Sequence, residues 1–178
     1  MPITPFHFGP GAALKALAPA RFSFTVFVLS QLVIDLEPVL FFLASGEPLH
    51  PYLHTYAGAS AVALASLWPG RRLCEWALRA WNSRLSEAQA RWMSVPAAIE
   101  PRAALAGAFL GAWSHVFIDS FMHADVRPLA PFSRAGQMIG LVDIDLLHWI
   151  CAAAGAAGLA ALAFYRFVLQ RNQSQASR

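Results

Sequence analysis

Every long apolar stretch of this chain is broken near one end by acids or histidines. Residues 22–34 run without a charge and then meet Asp35, Glu37 and Pro38. Residues 102–122 carry His115 and Asp119 in their second half. Residues 146–165 give the run of about 20 that a membrane-crossing helix wants, with His148 inside it. Ionisable groups in such spans are costly, and they line a cavity or bind something. Composition sets the class. Hydrophobic residues are 57% and charged residues 13% of the 178, against roughly 25% charged in soluble domains. That excludes a disordered chain and a nucleic-acid-binding tail. It predicts a single helical membrane domain over 1–178, with a polar tail at 170–178.

The segments follow from punctuation and period. Residues 1–21 are an entry broken by Pro2, Pro5 and Pro10, with no basic leader ahead of an apolar run. Gly46 and two prolines predict a turn at 45–51, and 51–67 reads as a helix ended by Pro69-Gly70. Residues 71–93 alternate Arg with Trp and Leu at helical spacing, predicting one basic amphipathic helix at the membrane interface, with Trp76, Trp81 and Trp92 toward lipid. Gly107 and Gly111 form a small-xxx-small pair that lets helices approach closely. Residues 124–140 read as a loop and 141–169 as the last helix. The predicted fold is all-α: a four-helix membrane-embedded bundle plus the basic interfacial helix. Cys74 and Cys151 read as isolated thiols. Arg21, six arginines within 70–102, and Arg166, Arg171 and Arg178 toward the end of the chain place that side of the bundle in the cytoplasm.

Residue counting at about 1.5 Å per helical residue then collects the histidines. His7 lies 13 residues before Ala20 and Asp35 lies 15 after it, so an antiparallel return sets them level. His54 opens the next helix at that end, and His115 and Asp119 arrive there from below. His115 and Asp119 are spaced i,i+4 on one helical face, as are His50 and His54. Imidazole and carboxylate in that pattern suit zinc or manganese. Asp143, Asp145 and His148 open the last helix at the same end; the two acids are equally read as favoured by its dipole.

The stretches TPFHFGPG, IDLEP, LHPYLHT and WSHVFIDSFMH resemble the membrane-bound metal-dependent hydrolases of prokaryotes, over residues 4–132. That family pattern is an early His, an acidic D-x-[DE]-P element, a His-Thr and S-H-x-x-x-D. The ligand order is also distantly similar to the zinc-dependent phospholipase C and single-strand nuclease superfamily, all-α enzymes that cleave phosphoesters. The resemblance implies metal-ligand roles for His7, Asp35, His54, His115 and Asp119, and for His123 toward a second ion. The resemblance leaves Glu37, His50, Asp143, Asp145 and His148 as further candidate ligands or supports. The last three depart from the superfamily pattern, because here the acids precede the histidine.

The expected function is a membrane-bound, zinc-dependent hydrolase with one to three ions, in the cytoplasmic membrane of a prokaryote. It would cleave a phosphoester, in a small molecule or a lipid, with a metal-activated water. Asp35, His115 and Asp119 would be central to catalysis, and Arg127 and Arg134 would hold the phosphate. The alternative is a non-enzymatic membrane protein whose ion is structural or transported.

Overall fold

The computed structural model describes residues 5–44 and 50–176, and these are helical with no strand. A 3-10 turn, Pro5–His7, leads into α1 (Phe8–Leu17). Then come α2 (Phe24–Ala44), α3 (Tyr56–Ala65), α4 (Arg71–Asn82), α5 (Glu87–Met93), α6 (Pro101–Met122) and α7 (Ile144–Ala176). Most of the turn expected at 45–51 lies outside the described residues, as does Arg178.

Three helices are long and apolar enough to cross a membrane: α2, α6 and α7 over Ile144–Asn172. Their outer faces are apolar and open. Leu40, Phe42 and Leu43 on α2, Leu110 and Phe117 on α6, and Trp149 and Phe164 on α7 are all exposed. Exposed apolar side chains on spans of this length mark a membrane protein, since in water they would form one large sticky patch.

The fourth long helix expected from the sequence takes another form. α3 is ten residues long, and Pro69-Gly70 does not end it: a π-helical turn, Ser66–Gly70, carries the chain straight into α4. Proline lacks an N–H and crowds the carbonyl four residues back. A wider π turn accommodates both at once, so the proline is absorbed within the helix. The expected basic helix over 71–93 divides in two. Ser86 and Gln89 form a reciprocal capping box, with Gln89 N donating to Ser86 Oγ at 3.3 Å and Ser86 N to Gln89 Oε1 at 2.9 Å. That box starts a new helix. Asn82 closes the gap by pairing both amide atoms with the Val95 backbone, at 2.7 and 3.1 Å. Cys74 and Leu78 are the buried face of α4, while Trp76, Trp81 and Trp92 are exposed.

The last helix continues through most of the expected polar tail, to Ala176. Gln, Arg and Asn contain no breaker, so nothing stops it. Arg166 of α7 donates to the Trp92 and Ser94 carbonyls, and Gln170 to that of Arg91 at 2.6 Å. These bonds tie the far end of α7 to α5. Glu75 accepts from Ile99 N at 3.1 Å, just before α6 begins. The arginine-bearing helices α4 and α5 therefore gather at the starting ends of α2 and α6.

Two helix pairs touch backbone to backbone. At Gly111 a Cβ would meet the Phe27 carbonyl oxygen and Ser30 Oγ, and at Gly107 the Ser23 carbonyl oxygen. The pair read from the sequence is thus the contact between α6 and α2. At Gly9 a Cβ would strike the Cys151 carbonyl, so α1 lies directly on α7. Gly111→Val should push α2 from α6, because the obstacle is mostly backbone and cannot rotate away. A cost of about 1–3 kcal/mol should appear as a lower melting temperature in detergent by circular dichroism; an unchanged melting temperature would contradict this close packing.

Candidate metal centre

Asp35 lies midway along α2 and His115 two-thirds along α6, so the centre sits inside the apolar spans. On α2, Gln31 and Asp35 share a face one turn apart, and both are buried. On α6, His115 and Asp119 do the same. His7 ends the 3-10 turn that enters α1, and its carbonyl accepts from Gln31 Nε2 at 3.4 Å.

His54 arrives on the loop before α3, and Glu37 holds that loop. Its two oxygens accept from the backbone N–H groups of Tyr52 and Leu53 at 2.8–2.9 Å and of His54 at 3.3 Å. Glu37 Oε2 also lies 2.9 Å from His54 Nδ1. Thr55 caps α3 by accepting from Gly58 N at 2.9 Å. Glu37 is therefore a clasp on the loop that carries His54. With the His54 proton on Nδ1, facing the carboxylate, the Nε2 lone pair points inward.

The inner side chains converge as expected. His115 Nε2 lies 3.3 Å from Asp35 Oδ1 and 3.2 Å from Asp119 Oδ2. His54 Nε2 lies 3.3 Å from the same Asp119 Oδ2. His7 Nε2 lies 3.5 Å from Asp119 Oδ1. Donor atoms of Asp35, His54 and His115 all lie within 4.8 Å of one another, as do those of His7, His115 and Asp119. Yet the Nε2 atoms of His7, His54 and His115 are buried and make no hydrogen bond. Three orphaned imidazole nitrogens around two carboxylates would be costly if nothing joined them. Tetrahedral zinc with bonds of about 2.0–2.1 Å sets its ligands about 3.3–3.4 Å apart. The observed separations are of that size. The residues present therefore fit a divalent ion.

The carboxylates face imidazoles. Among the described residues, the ion-pair partners of Asp35, Glu37 and Asp119 are histidines alone. Burial pushes the His7 imidazole down to about 4, against the pull of Asp119, so near neutral pH it is uncharged. Burial also lowers His50 and His123. His54 and His115 are the rings that pair with Asp35 and Asp119, at 3.2–3.3 Å.

A second group lies outward of the first. His50, His123 and Asp125 bring one donor each within 4.8 Å. His50 Nδ1 is 2.9 Å from both Asp125 oxygens, and the His50 and His123 rings stack at 4.6 Å. His123 Nε2 is 4.0 Å from Asp119 Oδ1. With side chains 24% and 34% exposed, His123 and Asp125 are more open than the inner donors. Sequence reasoning missed Asp125. Its only signal was its place two residues after His123, and only the loop's return to His50 gives it a function. Gln31 was missed too, although a polar residue one turn before Asp35 in an apolar span was a visible sign.

The remaining candidates are not drawn in. Asp143 caps α7, accepting from Leu146 N at 2.9 Å, and Asp145 is exposed. His148 packs its ring on Phe6 at 4.8 Å. Their places follow from the start of α7, where acids favour the positive end of the helix dipole. Arg127 folds back on the Ala124 carbonyl at 2.8 Å, and Arg134 is exposed. No family model, curated protein or solved structure matches this chain.

Glu37→Gln should keep the helices but release His54 from its orientation. Metal affinity should fall about 10–100-fold, the usual effect of losing a group that orients a ligand. Competition with a chromogenic chelator checks this, and an unaltered affinity would remove Glu37 from the site.

Proposed function

We propose that this chain is a membrane-bound, metal-dependent hydrolase that cleaves a phosphoester with an activated water. The observation that carries the reading is the set of orphaned Nε2 atoms spaced 3.2–3.5 Å from two carboxylates. Asp35, His54, His115 and Asp119 would hold the ion, and their N/O donor set suits zinc. When bound, such an ion lowers the pKa of a coordinated water toward about 7 and supplies a nucleophile at neutral pH. The rest is the work of this chain. Glu37 orients His54, α2 and α6 keep water from the interior, and His123 with Asp125 line the approach for a charged substrate. Arg127, held on the same loop as Asp125, is the cation assigned to the phosphate, with Arg134 beyond it. The outer group is the place for a second ion.

In this reading α3 and its π-helical continuation complete a four-helix arrangement within the cytoplasmic membrane of a prokaryote. The arginines of α4 and α5 face the cytoplasm, where positive charge is retained. A structural or transported ion is the second reading. It is favoured by the depth of the inner donors, since a closed four-ligand site is the mark of structural zinc. In a merely hydrogen-bonded polar layer the Nε2 atoms of His54 and His115 would instead carry protons toward the carboxylates 3.2–3.3 Å away, and metal content separates that reading from the other two.

Elemental analysis of the purified protein should find at least one equivalent of zinc or manganese. His115→Ala and Asp119→Asn should lose it, and Arg79→Ala, at the far end, should retain it at matched helicity. Equal metal content in His115→Ala and Arg79→Ala would end the proposal. Hydrolysis of a chromogenic phosphodiester that follows metal content selects the enzyme over the structural reading. A topology reporter fused at Ser83 should read cytoplasmic; an outward reading would reverse the orientation.

A further inference from the structure

His7 and His115 touch each other through the wrong atoms for both to be ligands. Their Nδ1 atoms lie 3.2 Å apart, and their rings meet edge to face at 4.7 Å. A neutral imidazole carries one N–H, on Nδ1 or on Nε2. If both rings offered Nε2 lone pairs to metal, both would carry Nδ1–H. Two N–H groups would then face each other across 3.2 Å, with no acceptor between them. One Nδ1 must accept, and the ring that accepts there carries its proton on Nε2. Only one of these two histidines can then ligate through Nε2.

The surroundings decide which. His115 Nε2 lies 3.2–3.3 Å from carboxylate oxygens of both Asp35 and Asp119, and it belongs to the donor group with Asp35 and His54. His7 Nε2 faces Asp119 Oδ1, on the other side of that carboxylate, at 3.5 Å. Resting on the metal-centre reading above, we infer that His115 is the ligand of this pair and that His7 is a positioning residue, whose Nε2–H holds the outer oxygen of Asp119. His115 Nδ1–H then donates to His7 Nδ1. Asp119 is left to reach the ion through Oδ2 alone, and Glu37 does for His54 what His7 does for Asp119. Gln31, bonded to the His7 backbone, holds the ring's segment in place.

The test is nitrogen-15 NMR of histidine-labelled, intact protein loaded with cadmium-113. The expected result is one-bond coupling to Nε2 of His54 and His115. His7 should show no coupling, a protonated Nε2 and a bare Nδ1. Coupling at His7 Nε2 overturns the inference while leaving the metal centre standing. Wild-type protein that takes up no cadmium, zinc or manganese overturns the metal-centre reading and this inference with it. Variants give an independent check at matched circular dichroism. His7→Gln keeps an N–H donor and should retain one zinc equivalent, with affinity reduced at most about 100-fold. His7→Ala should bind more weakly than His7→Gln, and His115→Gln should lose the ion. Complete loss in His7→Gln, or equal affinity in His7→Gln and His7→Ala, rejects the hydrogen-bonding role.

Discussion

Asp35, Glu37 and Asp119 are carboxylates buried in apolar helices with imidazoles as their ion-pair partners, and the other features of the fold serve that arrangement. An unpaired charge in such a place costs several kcal/mol. The chain meets this by division of labour. Glu37 spends its oxygens on backbone N–H groups and one imidazole, while Asp35 and Asp119 face the Nε2 atoms. A divalent ion placed between His54, His115 and the two aspartates would neutralise the carboxylates and satisfy those two nitrogens together.

Close helix approach makes that geometry reachable. Imidazole and carboxylate side chains are short, so donors on different helices meet only if the backbones are near. Glycines at 107 and 111 let α6 press on α2 and bring His115 to Asp35. Gly9 lets α1 lie on α7, at the entry that carries His7. The outer faces of α2, α6 and α7 stay apolar and open, as helices that a membrane surrounds can be.

Depth grades the site. The inner donors are closed off, while His123 and Asp125 are partly open to the outside. A charged substrate would meet the outer group first, and the proposed nucleophile would form below it.

The class of the protein was legible in the chain, because composition and run length decide membrane seating without reference to packing. The inner site was legible too. Helical counting and i,i+4 spacing place His7, Asp35, His54, His115 and Asp119 at one level whatever the details of the bundle. Helix breaks were less so. Pro69-Gly70 looks like a stop, and only packing against α2 and α6 shows a π turn passing through it; Ser86 starts a helix inside what reads as one amphipathic run. Roles within the site needed the tertiary structure entirely. Glu37 and His7 have the same donor chemistry as ligands, and sequence spacing cannot say which atom of a ring faces metal and which faces a neighbour. Asp125 belongs to the site only because a loop folds back on His50. Spacing along a helix is a local property and can be read from the chain; the orientation of a side chain between two helices is set by both, and only the folded protein holds that information.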